Sequence, residues 1–593
     1  MRTPVRSLAF TLSLLVAAPL AAAAPDPRPN LAADIERLGA DLDEHARFYP
    51  IIWSEDLLEQ RHTFLRARLA ALEAFDFAAL SQSARVDYLL LRNSIRALIS
   101  DNRLAARRLA EMDPVLTVRG PILALETARW RMEPLDPRVA AERLASIPAL
   151  AKSARARLDA GRRPADAAPP PPDQPQPVTL SPSAALRASR ALDQFVSTLD
   201  RYFEHYDGFE PSFAWWCRQP FGEARAAVDD LARFLREEIA GVRNKPEDPL
   251  IGDPIGRDAL LESLRDEFVG LSPEELIELG DREMAWCLQE MKRAAQDMGL
   301  GDDWRSALAK VKLAAEPPGG QTAYVTDVAR EATRFVVDRD LVTVPPLCEE
   351  TWRIRMIQPR EQRVLPFAVY YGQAIGVAYA NQSMTHDDKL MSMRGNNRHF
   401  TRIVVPHELI PGHHLQGFTA QRERPERRRF STPFYVEGWA LYWEMKLWDL
   451  DWARSPEDRV GMLFWRMHRC ARITVSLRFH LGLMSPAEMI DFLVDNVGHE
   501  RFTATSEVRR FIGGDYSPLY QCGYMIGGLQ LRALWREAVG PSTAPAMTEK
   551  QFNDAVLNAG TIPIELLRAE LLGPARVPLT RDAEASWRFD RAP

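Results

Sequence analysis

The segment Ile-Val-Val-Pro-His-Glu-Leu-Ile-Pro-Gly-His-His, residues 403–414, is the most informative stretch of this 593-residue chain. It holds three of the 11 histidines, and a glutamate directly follows the first of them. Neutral imidazole is a good zinc ligand, and a carboxylate beside a zinc-bound water can accept its proton. The segment therefore predicts a helix that carries a metal site.

The spacing of these histidines requires a distorted helix. In zinc peptidases the second His usually stands four residues after the first, on the same helical face, and here that position is Pro411. In a regular helix His413 would point roughly 240° away from His407, and His414 would lie about 10 Å further along the axis. Pro411 removes a backbone donor, and Gly412 accepts unusual dihedral angles. We predict a distortion here that returns His413 to a place beside His407, with His414 as the alternative ligand.

A third ligand is expected in the segment Tyr-Val-Glu-Gly-Trp-Ala-Leu-Tyr, residues 435–442. Glu437 lies there at an apolar, aromatic helix start, where a buried carboxylate needs a partner such as a metal ion. Two imidazoles and one carboxylate leave a fourth position for water, which matches a catalytic zinc rather than a closed structural one. The residues thus predict one Zn²⁺ per chain at His407, His413 and Glu437.

Helical periodicity extends over most of the remaining chain. Leu65, Leu69 and Leu72 are one example of apolar residues at three- and four-residue steps. Capping boxes that begin at Ser272 and Ser485 indicate two further helix starts. Three short stretches favour strands, and they are residues 353–357, 365–371 and 376–380. We predict an all-α or α-dominated fold with a small β-sheet next to the metal-binding helix.

A chain of this length is expected to form several domains or structural regions. Prolines concentrate between residues 161 and 183, and because proline cannot continue a helix this stretch is predicted to be a loop or linker. The predicted division is a signal peptide at 1–24, an N-terminal helical region at 25–160, the proline-rich stretch at 161–183, a second helical region at 184–340 and the metal-site region at 341–593.

The N-terminus indicates export. Arg2 and Arg6 precede an apolar run at residues 8–18, which is too short to cross a bilayer as a helix, and small residues follow at 21–24. This order is typical of a secretory signal peptide. We predict an exported protein, periplasmic or extracellular, with an uncleaved anchor as the alternative.

Composition excludes several classes of partner. The net charge is -6, so no basic excess is present to neutralise the phosphates of a nucleic acid. No later apolar run is long enough for an integral membrane segment. The five cysteines contain no CxxC pair, which argues against a thiolate zinc site and leaves them as small buried side chains.

Two segments resemble a known family. HELIPGHHLQ at residues 407–416 and EGWALYWE at 437–444 resemble the DUF885 family, whose members carry H-E-x-x-P-G-H-H and a later E-G-W-A. The sequences of residues 520–527 and 560–563 are similar to the C-terminal part of the family. The family looks like a relative of the gluzincin zinc peptidases, which implies a large helical metallopeptidase-like fold. One departure is Asn553, where many members have His.

The resemblance also implies residue roles. His407, His413 and Glu437 would hold zinc, and Glu408 would be the general base that activates the zinc water and passes its proton to the leaving amine. His414 could instead contact a ligand or the substrate.

Further candidates lie toward the C-terminus. Tyr520 and Tyr524 are four residues apart, so they share a helical face and could donate to a tetrahedral oxyanion. A polar stripe one turn apart includes Arg472 and His480, which are candidate substrate-binding residues; Arg472 could pair with a substrate carboxylate. Core positions and a buried polar network are the alternatives. An edge strand around Tyr370 could hold an extended peptide by backbone pairing.

The function predicted from these observations is an exported zinc-dependent hydrolase, specifically a peptidase. Its partners would be a peptide or small amide substrate and no nucleic acid, and no oligomeric state is predicted. Two alternatives remain open. One is a zinc amidohydrolase that acts on a non-peptide amide, and the other is a non-catalytic helical binding protein that retains the motif as a fold element.

Overall fold

The computed structural model describes residues 30–49, 51, 53–163, 175–243, 245, 248–514, 516–540 and 547–591. These residues form 22 α-helices. In chain order the helices are α1 (Ala32–Phe48), α2 (Glu55–Glu73), α3 (Gln82–Met112), α4 (Arg119–Trp130), α5 (Pro137–Gly161), α6 (Pro182–Tyr206), α7 (Pro211–Phe234), α8 (Arg257–Asp266), α9 (Pro273–Asp297), α10 (Trp304–Lys312), α11 (Gln321–Asp338), α12 (Pro346–Thr351), α13 (His386–Gly395), α14 (Arg398–Glu408), α15 (His413–Ala420), α16 (Pro433–Asp449), α17 (Pro456–His480), α18 (Pro486–Val497), α19 (Arg501–Ile512), α20 (Tyr520–Ala538), α21 (Glu549–Asn558) and α22 (Ile564–Leu572).

A small sheet lies between α12 and α13. Its strands are β1 (Arg353–Met356), β2 (Ala368–Tyr370) and β3 (Ala374–Val377), in the order β1-β3-β2. β3 runs parallel to β1 and antiparallel to β2, so β2 is an edge strand of this described sheet. β3 begins earlier than predicted because Gly372, at φ 75°, closes a tight turn directly after β2. Since β2 contacts α14, the prediction of an α-dominated fold with a small sheet is confirmed, and the sheet lies beside the helix that carries His407.

Three apolar clusters hold the helices together. One lies among α4 to α7, a second contains the aromatic face of α16 with α3 and α22, and a third surrounds α17. α17 is buried along nearly its whole length because apolar side chains surround it, which makes it a central helix. The five cysteines are buried and unpaired, as predicted.

The division of the chain into regions stays a prediction. α5 ends at Gly161 and α6 begins at Pro182, on either side of the proline-rich stretch. Residues 164–174 of that stretch, and the predicted signal peptide at 1–24, lie outside the described residues. Within the described part of the chain, none of the helices combines the length and apolarity that a membrane crossing needs.

α16 and α20 cross with their backbones in direct contact. A Cβ added to Gly438 would lie 2.6 Å from the carbonyl carbon of Gly527, and one added to Gly527 would lie 1.9 Å from the Phe434 carbonyl oxygen. Only glycine allows this approach. The close crossing places the start of α20, with Tyr520 and Tyr524, against the part of α16 that carries Glu437.

Candidate metal centre

The helix that carries His407 ends directly after it. α14 ends at Glu408 and α15 begins at His413, and the intervening Ile410–Pro411 peptide bond is cis. A Cβ on Gly412 would lie 1.8 Å from the carbonyl oxygen of His407, so the chain can turn back this tightly only with glycine at this position. The predicted distortion is present, and it is a complete break between two helices rather than a distortion within one helix.

The break brings the three predicted ligands together. One donor atom from each of His407, His413 and Glu437 lies within 4.8 Å of the other two. The carboxylate oxygen Oε2 of Glu437 lies 3.6 Å from Nε2 of His407 and 3.2 Å from Nε2 of His413. Zinc bonds of about 2.0–2.1 Å in tetrahedral geometry separate neighbouring donor atoms by about 3.3 Å. These residues therefore fit a zinc ion.

The second polar atom of each ligand is held by another side chain. Nδ1 of His407 lies 2.7 Å from the Glu444 carboxylate, and Nδ1 of His413 lies 3.4 Å from the Gln416 side-chain oxygen. The Tyr520 hydroxyl donates to Oε1 of Glu437. Carboxylate and carbonyl partners fix the proton on Nδ1, so Nε2 of each imidazole is free to bind a metal.

Buried charges pair within this cluster. Burial opposes a charged imidazolium, but hydrogen bonds to Glu437 and Glu444 outweigh it and raise the pKa of His407 to about 9. Burial alone would raise the pKa of Glu437, yet interactions with His413 and His407 hold it well below its usual range. In the absence of a metal ion, a proton on His407 therefore supplies the positive charge that pairs with the buried carboxylates.

His414 lies outside this centre, and its contact with the substrate stays a prediction. Its Nε2 lies 2.8 Å from the Cys348 carbonyl oxygen and its Nδ1 lies 3.0 Å from the Tyr370 hydroxyl. Burial lowers the pKa of His414, so the ring is neutral and donates from Nε2 to the Cys348 carbonyl, which leaves Nδ1 without a proton beside the Tyr370 hydroxyl. Because both nitrogens are used, His414 fastens α15 to the edge strand, and His413 is the imidazole that joins His407.

The triad lies at the wall of a cavity of about 500 Å³. Glu408, at the C-terminal end of α14, also lines this cavity. Residues of β2 form another wall, which includes Tyr370, and α20 contributes Tyr520 and Tyr524. A substrate in the cavity would therefore meet the three ligands, the Glu408 carboxylate and an edge strand together.

The two tyrosines of α20 differ in what their hydroxyls contact. The Tyr520 hydroxyl donates a hydrogen bond to the Glu437 carboxylate. The Tyr524 ring lies nearly parallel to His407, with centroids 6.2 Å apart, and its hydroxyl has no hydrogen-bond partner among the described residues. Burial raises the pKa of Tyr524 to about 12, so this hydroxyl keeps its proton at neutral pH. Tyr524 can therefore donate to a group in the cavity, whereas Tyr520 orients a ligand.

The polar stripe of α17 divides between two places. Arg472 lines the same cavity and donates from Nη2 to Glu507 at 2.7 Å. His480 instead lines a separate cavity of about 420 Å³ beside Asp253, where burial lowers its pKa to about 4. The structure therefore does not bring His480 together with the triad, because α17 passes the first cavity before reaching His480.

Several residues of the site were missed by the sequence argument. Glu444 lies two helical turns after Glu437 on α16, and this spacing could have identified it as a partner of a ligand. Arg469 lies one turn before Arg472 and also lines the cavity. Arg510 comes from α19, and no local pattern distinguishes it from the neighbouring arginine.

Asn553, the departure from the family pattern, is buried away from the cavity. Its amide nitrogen donates to the Leu341 carbonyl oxygen at 2.9 Å, and its side-chain oxygen accepts from the Tyr442 hydroxyl at 3.1 Å. These contacts give Asn553 a structural position behind α16.

Comparisons with known proteins show the fold and the family. A solved structure described as a candidate lipoprotein of unknown function from Shewanella oneidensis is similar over 92% of this chain and 99% of its own, with TM-score 0.65 and 17% identity. Another described as a candidate lipoprotein, from Colwellia psychrerythraea, matches over 91% and 98%, with TM-score 0.57 and 16% identity. No curated protein sequence matches.

The family match covers nearly the whole chain. Residues 38–571 match the profile of a family described as "Bacterial protein of unknown function (DUF885)". The motifs HELIPGHH and EGWA lie within this range and form the triad described above. The chain therefore belongs to the DUF885 family.

Proposed function

We propose that this protein is a zinc-dependent hydrolase that cleaves peptide bonds, with Glu408 as general base. The observation that carries the proposal is that donor atoms of His407, His413 and Glu437 lie within 4.8 Å of one another at the wall of a cavity that Glu408 also lines. One Zn²⁺ per chain is proposed for this site. An open cavity beside three ligands supports a catalytic metal rather than a structural one.

The proposed chemistry divides between the metal ion and three side chains. Zinc bound at the triad would polarise a carbonyl and lower the pKa of a water molecule. Glu408 accepts the proton of the attacking water and later gives it to the leaving amine. Tyr524 donates a hydrogen bond to the oxygen that becomes negative in the tetrahedral state. Tyr520 keeps the Glu437 carboxylate in place.

The edge strand supports a peptide over a non-peptide amide. Phe367 and Tyr371 form main-chain hydrogen bonds to Ala378 and Ala374 on the β3 side. Because antiparallel strands alternate, the main-chain groups of residues 368 and 370 face away from β3. Both residues line the cavity, so an extended peptide can pair with this edge as an added strand.

Export is also part of the proposal. The N-terminal pattern is that of a signal peptide. The two similar solved structures are described as candidate lipoproteins, which fits a protein outside the cytoplasm. We propose a periplasmic or extracellular location.

The test combines metal analysis with hydrolysis of a peptide library. Purified protein should contain about one zinc per chain, and His407→Ala should lose it. Glu408→Gln should keep the zinc and lose about two to four orders of magnitude in rate, as expected for removal of a general base. Glu423→Gln, at an exposed glutamate after α15, is the matched control and should behave as the unsubstituted chain.

Three outcomes would contradict the proposal. Full activity in Glu408→Gln would exclude the proposed base. Turnover of blocked non-peptide amides alone would favour the amidohydrolase alternative. Bound zinc without any turnover would favour the non-catalytic binding protein.

A further inference from the structure

Three arginines lie close together in the wall of the cavity that the triad also lines. Arg469 and Arg472 come from α17, and Arg510 comes from α19. All three line the cavity, although their side chains are only 6%, 3% and 12% exposed respectively. Buried guanidinium groups normally require anionic partners, so the local charge balance is informative.

The protein supplies only two carboxylates to this group among the described residues. Oε2 of Glu507 accepts from both Arg472 and Arg510 at 2.7 Å. Glu444 lies 3.5 Å from Arg469 and is already paired with His407. Three guanidinium groups thus share two carboxylates, and one of those carboxylates also serves a metal ligand.

Neighbouring groups do not restore the balance. Burial and Arg472 lower the pKa of His468 well below its usual value, so this ring contributes no charge. Burial opposes the ionised form of Glu507, but Arg510 and Arg472 hold its pKa well below the usual range, so it counts as one negative charge. The cluster therefore retains a net positive charge in a low-dielectric place.

Some of the guanidinium donors have no hydrogen-bond partner. Within the described part of the chain, Nη1 of Arg472, Nε of Arg469 and Nε of Arg510 are buried without one. Unpaired buried donors cost free energy, more so in charged groups. Both the charge and the donors indicate a place for an anion with several acceptor oxygens.

The cluster lies one aromatic ring away from the metal centre. Tyr524 packs against His407 on one side, and the guanidinium carbons of Arg469 and Arg472 lie 4.6 Å and 4.3 Å from its ring centroid. An extended peptide advances about 3.5 Å per residue. A chain end at the arginines therefore lies within one or two residues of a carbonyl at the triad.

We propose that Arg469, Arg472 and Arg510 bind the C-terminal carboxylate of a peptide, so that the protein removes one or two residues from a free C-terminus. This inference rests on the proposed hydrolase function. Arginine matches a carboxylate with two parallel hydrogen bonds, which makes it specific for this group. A free peptide N-terminus would be repelled by the same positive charge.

The experiment compares peptides of one sequence that end in a free acid or in an amide, with zinc-loaded full-length protein. Mass spectrometry should find products shortened by one or two C-terminal residues. The acid should exceed the amide in kcat/KM by about tenfold to a hundredfold, the usual effect of hydrogen bonds to a charged group. Equal cleavage of the two, or preference for an internal acidic residue, would overturn the inference.

Substitutions of single arginines test whether the preference for the free acid depends on this cluster. Arg510→Gln should remove the preference because kcat/KM falls much more for the acid than for the amide, and Arg510→Lys should be intermediate because charge remains without the planar fork. Arg428→Gln, at an exposed arginine that lines the same cavity, is the matched control and should keep the preference. Thermal unfolding of each variant shows whether it is folded.

A binding measurement separates this inference from the proposed function. Fluorescently labelled acid and amide peptides are titrated against zinc-loaded Glu408→Gln by anisotropy. Tighter binding of the acid by about tenfold supports the carboxylate site even if the unsubstituted chain cleaves nothing, in which case only the hydrolase proposal fails. Equal binding refutes the carboxylate site even if hydrolysis is observed.

Discussion

Zinc affinity should rise steeply with pH because His407 must lose a proton to bind the metal. In the metal-free protein the pKa of His407 is raised to about 9 by hydrogen bonds to Glu437 and Glu444, so the ring is protonated at pH 7. Zinc binds neutral imidazole and therefore releases this proton. Two pH units below the pKa, competition by the proton weakens apparent affinity by about a hundredfold relative to a pH above 9.

The assay is a competition titration against a chromophoric zinc chelator between pH 6 and pH 9, corrected for the protonation of the chelator. The expected slope is about one decade of affinity per pH unit, with about one proton released per zinc near pH 7. Glu444→Gln removes one of the partners that raise the pKa of His407, so the curve should level off at lower pH. A flat profile between pH 7 and 9 without proton release would show that His407 is already neutral in the metal-free protein.

Further substitutions test the role of the helix break and the different roles of the two tyrosines. Gly412→Ala would place a Cβ 1.8 Å from the His407 carbonyl oxygen, so we expect this variant to lose zinc. Gly417→Ala in α15 has room for its Cβ and should retain zinc. Elemental analysis of the purified variants measures the zinc content. Tyr524→Phe should keep zinc and lower kcat by about 10²–10³, as for loss of one oxyanion donor. Tyr520→Phe should instead weaken zinc binding by about tenfold to a hundredfold, measured by the same chelator competition, because it frees a ligand. Equal metal affinity in both tyrosine variants would contradict this division.

Local patterns predicted much of the centre because its ligands lie in two short segments. Pro411, at the usual position of the second His, and Gly412 predicted a distorted helix, and the acid in an aromatic helix start predicted a ligand. The choice between His413 and His414 needed the structure, since the path of the chain after the break decides which ring faces His407. Sequence spacing gave no information about that path.

Residues from distant helices could not be predicted for a related reason. His480 shares a helical face with Arg472, but α17 is long enough that one face passes two different cavities. Arg510 and Glu507 lie one turn apart on α19, and Arg510 reaches the first cavity only because α19 packs where Glu507 contacts Arg472 of α17. Helical periodicity describes one element, whereas these contacts depend on how several elements meet.

Glu444 connects the metal centre to the arginine cluster. Its carboxylate lies 2.7 Å from Nδ1 of His407 and 3.5 Å from Arg469, so the same negative charge supports a metal ligand and balances an arginine. A substrate carboxylate bound at the arginines would neutralise part of the positive charge of Arg469. Glu444 would then interact more strongly with His407. Stronger hydrogen bonding at Nδ1 makes an imidazole a more basic ligand. Peptide binding and metal binding should therefore strengthen each other, and thermodynamic reciprocity requires the effect to be equal in both directions.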